Sequence, residues 1–167
     1  NEIYEDYLTE SKIKVRPGIM RLINELKEKG IRLGLVSSTS EVNLLNLFEK
    51  GLKIDHKQIF DIVAHGDSTP NKKPSPEIYE WALEKLRLPS QACIAIEDSP
   101  RGLDASLKAN ISTIVTPSIL TLGEEFKGAK LVVSDLGEPD RAFELIAGKD
   151  FGHKFVDTDL LSKVIDI

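Results

Sequence analysis

Three short polar segments follow three apolar runs of the chain, and together their side chains could do chemistry on a phosphate group. Hydroxyls stand at residues 37–40 after "LGLV", Lys73 lies in the loop after "DIVAHG", and the adjacent carboxylates Glu97 and Asp98 follow "CIAI". A hydroxyl and an ammonium offset the charge of a phosphoryl group. Mg²⁺ usually takes one or two protein carboxylates together with water and phosphate oxygens.

Each segment also has an ordinary structural explanation when it is taken singly. Hydroxyls after a strand commonly cap the next helix, and a lysine before proline in a loop is usually a solvated charge. Asp98 or Ser99 ahead of Pro100 would make a good helix cap. The functional interpretation therefore depends on whether the fold brings the three segments together.

The apolar pattern predicts strands and helices in alternation. Strands are indicated by "IRLGLV", "IFDIVAHG", "ACIAI", "STIVT" and "KLVVSDL". Helices are indicated by the apolar stripes of "PGIMRLINELKEKG", "EVNLLNLF", "PEIYEWALEKLRL", "PRGLDASLKAN", "PDRAFELIAG" and "DTDLLSKVI". Such alternation is typical of an α/β fold, a Rossmann-like parallel sheet with helices on both faces. Ligands of these sheets bind at the carboxyl ends of the strands, where the polar segments stand.

The composition argues against several classes of function. The chain has 167 residues, of which 41% are apolar and 29% charged, and its formal net charge is -5. Nucleic-acid-binding domains are usually basic, and no apolar stretch approaches the ~20 residues of a membrane helix. The single cysteine, Cys93, fits a reducing compartment. We expect a cytoplasmic protein, or a protein of an organelle stroma if a transit peptide has been removed.

The three polar segments, in this order and with these flanks, resemble the haloacid dehalogenase superfamily. "LGLVSSTS" is similar to its second motif, "NKKPSPEIY" to its third and "IAIEDSPRGLDAS" to its fourth. The flanks look most like the branch of β-phosphoglucomutase and the phosphatases, and in particular like the CbbY-type sugar-bisphosphate phosphatases, over about residues 15–139. Each motif alone is weak, whereas three in the same order are specific.

The resemblance implies a role for each residue of the three segments. Ser37, Lys73 and Asp98 become the expected catalytic residues, with Ser37 on the phosphate and Lys73 as the stabilising ammonium. Asp98 becomes a Mg²⁺ ligand, and Glu97 lies on the metal beside it or acts through a water. The side chains expected at the substrate are Ser37, Ser38, Thr39 and Lys73, with Asn43 near them by position.

One part of the family pattern has no counterpart in the sequence. The first motif, D-x-D-G-T/V on an N-terminal strand, supplies a nucleophilic and an acid–base aspartate, and residues 1–167 contain nothing like it. The resemblance therefore predicts an α/β core at residues 14–167 without its central first strand, and a remnant of the helical cap at residues 1–13. Since that strand belongs between the strands of the second and fourth motifs, we expect two unpaired edges there and poor folding of the isolated chain.

The activity that the resemblance implies is Mg²⁺-dependent hydrolysis of a small phosphorylated sugar through a phosphoaspartyl intermediate, with the nucleophilic aspartate outside this chain. A phosphomutase of the same branch would use the same residues and stays an open alternative. A second class is an inactive fragment or relative that only binds. A receiver-type signalling domain fits poorly, because its acidic pair precedes its lysine in sequence. The expected partners are a phosphorylated metabolite and the missing N-terminal segment, without nucleic acid or membrane.

Overall fold

The computed structural model describes residues 13–165 and shows strands alternating with helices along most of that part. The predicted α/β architecture is confirmed. The predicted cap remnant at residues 1–13 lies almost entirely outside the described residues and stays a prediction. None of the described helices is long and apolar enough to cross a membrane. The elements in chain order are α1 (Ile19–Glu28), β1 (Gly34–Val36), α2 (Glu41–Asn46), β2 (Ile62–Ala64), α3 (Glu77–Leu86), β3 (Ile94–Glu97), α4 (Pro100–Lys108), β4 (Ser112–Val115), β5 (Leu131–Val133), β6 (Leu145–Gly148) and α5 (Thr158–Ile165).

The strands form two separate hydrogen-bonded sheets. β1 and β2 pair in parallel, with Gly34 opposite Ile62. β3, β4 and β5 pair in parallel in that order, and β6 adds to β5 in the antiparallel direction. Within residues 13–165, β1 and β3 each therefore have one strand edge without a hydrogen-bonded neighbour.

An apolar cleft of about 640 Å³ separates β1 from β3. Both strands line it along their length, and helices α1 and α3 contribute further apolar side chains, among them Leu22, Leu26, Ala82 and Leu83. The cleft lies where the sequence predicts a missing central strand. A strand in that place would have backbone partners on both sides and apolar walls around it.

Buried side chains pack on both faces of the larger sheet. On β4, Ile114 packs with Leu22 of α1 and Leu160 of α5, whereas its neighbour Val115 packs with Leu103 of α4. Because successive strand residues point to opposite faces, helices cover both sides of this sheet. This is the arrangement that the alternating sequence pattern predicts.

The prediction of a helix in "PDRAFELIAG" is wrong, because its last residues form strand β6 at Leu145–Gly148. Phe143 and Leu145, two positions apart, both pack against the core, while Ile146 is 48% exposed. That spacing has the period of a strand, and the edge of β5 supplies the backbone partners, with Val133 opposite Leu145. The sequence window alone did not show that such an edge would be free.

We expect residues 1–167, expressed alone, to unfold over a broad temperature range and to aggregate. The unpaired edges of β1 and β3 and the apolar walls between them are templates for association with other chains. Circular dichroism and the fluorescence of Trp81, the single tryptophan, would follow unfolding, and light scattering would follow association. One cooperative transition, coincident by both probes and independent of protein concentration, would contradict this expectation.

Candidate active site

Lys73 connects the ends of the two sheets. Its Nζ donates a hydrogen bond to the carbonyl oxygen of Val36, the last residue of β1, at 3.1 Å. The same Nζ lies 2.5 Å from Oε1 of Glu97, the last residue of β3. The fold therefore brings the lysine of one polar segment to the carboxylate of another, at the carboxyl ends of the strands.

The Lys73–Glu97 ion pair is buried, with side chains only 9% and 7% exposed. Removing two charges from water is costly unless additional hydrogen bonds satisfy them. Tyr79 provides one of these, because its hydroxyl donates to the same Oε1 of Glu97. Its ring also lies 4.9 Å from the ammonium of Lys73, a distance suited to a cation–π contact.

Tyr79 is not among the residues that the sequence pattern singles out. Burial, and then the nearby charge of Glu97, raises the pKa of the Tyr79 hydroxyl, so that it stays a protonated donor. One signal in the sequence could have identified it. Tyr79 lies in the first turn of the helix that follows the Lys-Pro motif, six residues after Lys73.

The carboxylate of Glu97 lies against the first turn of α4. A Cβ atom at Gly102 would sit 1.8 Å from Oε2 of Glu97, so only glycine leaves room for the carboxylate. The amino-terminal end of a helix also favours a negative charge. The cap of α4 is Ser99, whose Oγ accepts from the Gly102 backbone N–H at 3.2 Å.

Asp98 is therefore not needed as the helix cap. It is exposed, and within residues 13–165 its carboxylate has no hydrogen-bond or ion-pair partner. Its backbone carbonyl accepts a hydrogen bond from Thr121 Oγ1 at 2.5 Å, which fixes the main chain at this position.

Arg101, two residues past Ser99, connects the lysine loop to α4. Its guanidinium donates a hydrogen bond to the carbonyl oxygen of Lys73 at 2.5 Å.

The hydroxyls predicted to bind phosphate lie in the turn between β1 and α2. The backbone N–H of Ser37 donates to Ala64 of β2, and Ser37 Oγ accepts from the Thr39 N–H at 3.2 Å. Ser38 is exposed. Ser40 caps α2, so neither Ser37 nor Thr39 serves as the cap. Ser37 follows Val36 directly, which places its turn next to the Lys73 ammonium.

The described carboxylates fit a magnesium ion that takes most of its ligands from elsewhere. No group of three or more histidine, cysteine, aspartate or glutamate side chains gathers among the described residues. Glu97 and Asp98 offer two hard carboxylates in sequence, and Oε1 of Glu97 is already occupied by Lys73 and Tyr79. One or two protein carboxylates with water and phosphate oxygens are what Mg²⁺ commonly accepts.

We expect Gly102→Ala to destabilise the protein when residue 97 is glutamate and to stabilise it when residue 97 is alanine. In the wild-type background the new Cβ collides with the Glu97 carboxylate, and the free energy of unfolding of the full-length protein should fall by about 1–3 kcal/mol. In a Glu97→Ala background the collision is gone, and alanine should stabilise the helix by up to about 1 kcal/mol relative to glycine. Urea unfolding measures both; equal effects in the two backgrounds would show that Glu97 does not contact Gly102.

Comparisons with known proteins show relatives in sequence and in fold. Protein CbbY of Cereibacter sphaeroides is 40% identical over 131 residues, which cover 78% of this chain and 57% of that protein. A phosphorylated carbohydrates phosphatase of Thermotoga maritima is 34% identical over 102 residues, covering 61% of this chain and 46% of that protein. The crystal structure of CbbY from Rhodobacter sphaeroides in complex with xylulose-(1,5)-bisphosphate has a TM-score of 0.76 at 40% identity, covering 80% of this chain and 60% of that one.

The chain thus spans little more than half the length of the CbbY proteins that it matches. The family model of the haloacid dehalogenase-like hydrolases matches residues 1–116, well over half of the chain. The chain belongs to the haloacid dehalogenase-like hydrolase family, in the branch that contains the CbbY-type phosphatases.

Proposed function

We propose that the full-length protein is a Mg²⁺-dependent phosphatase that hydrolyses a small phosphorylated sugar. The observation that carries this proposal is the position of Lys73. Its buried ammonium lies between the last residue of β1, which Ser37 follows, and the carboxylate of Glu97, which the exposed Asp98 follows. A cation, hydroxyls and two carboxylates are therefore gathered at the carboxyl ends of parallel strands, where α/β proteins bind their ligands.

Lys73 has one hydrogen-bond donor without a partner among residues 13–165, and this donor could serve a ligand. An ammonium carries three N–H groups, and Lys73 uses two of them on Val36 and Glu97. In the proposed reaction the third donates to an oxygen of the phosphoryl group and offsets charge in the transition state. Ser37 and the turn that follows it orient the same group. Glu97 and Asp98 would hold Mg²⁺, which when bound supplies positive charge to the phosphoryl oxygens.

We infer that the nucleophile is an aspartate outside these 167 residues. In the proposed first step, one carboxylate oxygen bonds to phosphorus while the bond from phosphorus to the sugar oxygen breaks, and the sugar oxygen takes up a proton. Water then attacks the acyl phosphate and releases inorganic phosphate and the free carboxylate. The cleft between β1 and β3 supports this proposal, because a strand placed there would end close to Lys73.

The class of substrate is inferred from relatives of the same family. One solved CbbY structure holds xylulose-(1,5)-bisphosphate, and a relative is named a phosphorylated carbohydrates phosphatase. Phosphate release measured alongside isomerisation of a sugar phosphate would separate a phosphatase from a phosphomutase with the same residues.

A location in the cytoplasm or an organelle stroma is part of this proposal, supported by the free thiol of the single cysteine, Cys93.

We expect Asp98→Asn to abolish phosphate release while leaving stability unchanged. The amide keeps the shape of the side chain but removes a charge that would hold Mg²⁺, and the loss of turnover should be on the order of 100-fold or more. Since Asp98 is exposed, the free energy of unfolding should change by less than about 0.5 kcal/mol. The matched control is Asp104→Asn, a half-exposed aspartate on α4 that pairs with Lys108 and should keep full activity. Near-normal turnover of the Asp98 variant would refute the assignment.

Lys73 should matter for both activity and stability, and a double variant separates the two effects. Lys73→Met leaves a buried, unpaired Glu97 charge and should destabilise the protein by about 3–5 kcal/mol. Lys73→Met combined with Glu97→Gln is neutral and should recover much of that stability, while phosphate release stays lost in both variants. Chemical denaturation and a phosphate-release assay on the full-length protein provide the measurements. Activity in either variant, or equal instability of the two, would contradict the role given to Lys73.

A further inference from the structure

We propose that Tyr79 is a positioning residue that fixes the carboxylate of Glu97 for metal binding. The inference rests on the proposed function, since it takes Glu97 as a ligand of Mg²⁺. It concerns the last residue of the stretch "NKKPSPEIY", to which the family resemblance gives no role.

Two donors converge on a single oxygen of Glu97. The Lys73 ammonium and the Tyr79 hydroxyl both donate to Oε1, while Oε2 accepts no hydrogen bond from the described residues. Oε1 of Glu97 is therefore held by two hydrogen bonds within the protein. The other oxygen is left for a ligand from outside this part of the chain.

The carboxylate of Glu97 has little freedom to turn. Tyr79 and Lys73 hold one oxygen, and Gly102 lies against the other, close enough that an added Cβ would be 1.8 Å from Oε2. Tyr79 is itself 6% exposed and packed among Ile78 and Ala95, so its ring cannot swing away. A rigid donor on a metal-binding carboxylate is the arrangement by which outer groups orient metal ligands.

Packing alone does not explain a tyrosine at this position. Phenylalanine would fill the same space between Ile78 and Ala95 and would also present its ring to Lys73. The additional hydroxyl of Tyr79 is buried, and a buried hydroxyl without a partner is unfavourable. Its partner is Glu97, so the difference between tyrosine and phenylalanine acts through that carboxylate.

The test is Tyr79→Phe in the full-length protein, with Mg²⁺ itself as the probe. We expect the dissociation constant for Mg²⁺, measured by titration calorimetry, to rise about tenfold. The Mg²⁺ concentration for half-maximal phosphate release should rise by the same factor, while kcat at saturating Mg²⁺ stays within about twofold. The matched control is Thr113→Val on β4, opposite Ala95 in the register, which removes a buried hydroxyl bonded to Ser106 and Ile111 and not to Glu97. It should change neither constant.

A Glu97→Gln background shows whether Tyr79 acts through Glu97. There Tyr79→Phe should weaken Mg²⁺ binding by less than twofold, whereas a tenfold loss in both backgrounds would overturn the proposal. An unchanged Mg²⁺ affinity in the single variant, or a lower kcat with unchanged affinity, would overturn it as well. If the wild type binds Mg²⁺ but hydrolyses no sugar phosphate, the proposed function alone fails and calorimetry still tests Tyr79. If the wild type binds no Mg²⁺, both proposals fail.

Discussion

The buried ion pair between Lys73 and Glu97 is the interaction on which the rest of the site depends. It spans the place where β1 and β3 do not pair, and Lys73 reaches both strand ends. A pair with so little exposure stabilises a fold only when its other hydrogen-bonding capacity is satisfied. The carbonyl of Val36 and the hydroxyl of Tyr79 provide two such hydrogen bonds, while the third N–H of Lys73 and Oε2 of Glu97 have no hydrogen-bond partner among the described residues. The same contacts that make the pair tolerable also fix the groups available for chemistry.

Residues next to the candidate site residues cap the helices that the candidates themselves could have capped. Ser99 caps α4 and Ser40 caps α2. Asp98, the residue after Glu97, is exposed and its carboxylate has no hydrogen-bond or ion-pair partner among the described residues. Ser37 caps no helix, and its only described side-chain hydrogen bond is the one it accepts from the Thr39 N–H. Neither side chain is therefore needed to cap the helix that follows its strand, and both are available for a ligand. This division of tasks is the physical reason to prefer a binding site over a set of helix caps.

The sequence predicts those features of the molecule that local pattern decides. Apolar runs and stripes identify most strands and helices, and the rule that parallel strands end at one edge brings Lys73 to Glu97. Strand β6 was missed because its pairing depends on an edge of β5 that is far away in sequence. Tyr79 was missed because a tyrosine on the buried face of a helix has the same pattern whether it only packs or also donates to a carboxylate. The local sequence pattern indicates which face of a helix or strand is buried and where a strand ends. It does not indicate which side-chain atoms form hydrogen bonds with each other.

Charge imposes a further constraint on how the proposed site would work. Lys73 and Glu97 neutralise each other, and the exposed carboxylate of Asp98 adds a negative charge at the end of β3. A phosphate monoester brought to this place would be repelled by Asp98, while among the described residues the remaining N–H of Lys73 and the guanidinium of Arg101 would attract it. A divalent cation at the two carboxylates would reverse that sign, and the phosphate would in turn supply oxygen ligands that the two carboxylates cannot. Metal and substrate should therefore each strengthen the binding of the other, because neither finds a complete set of partners among the described residues.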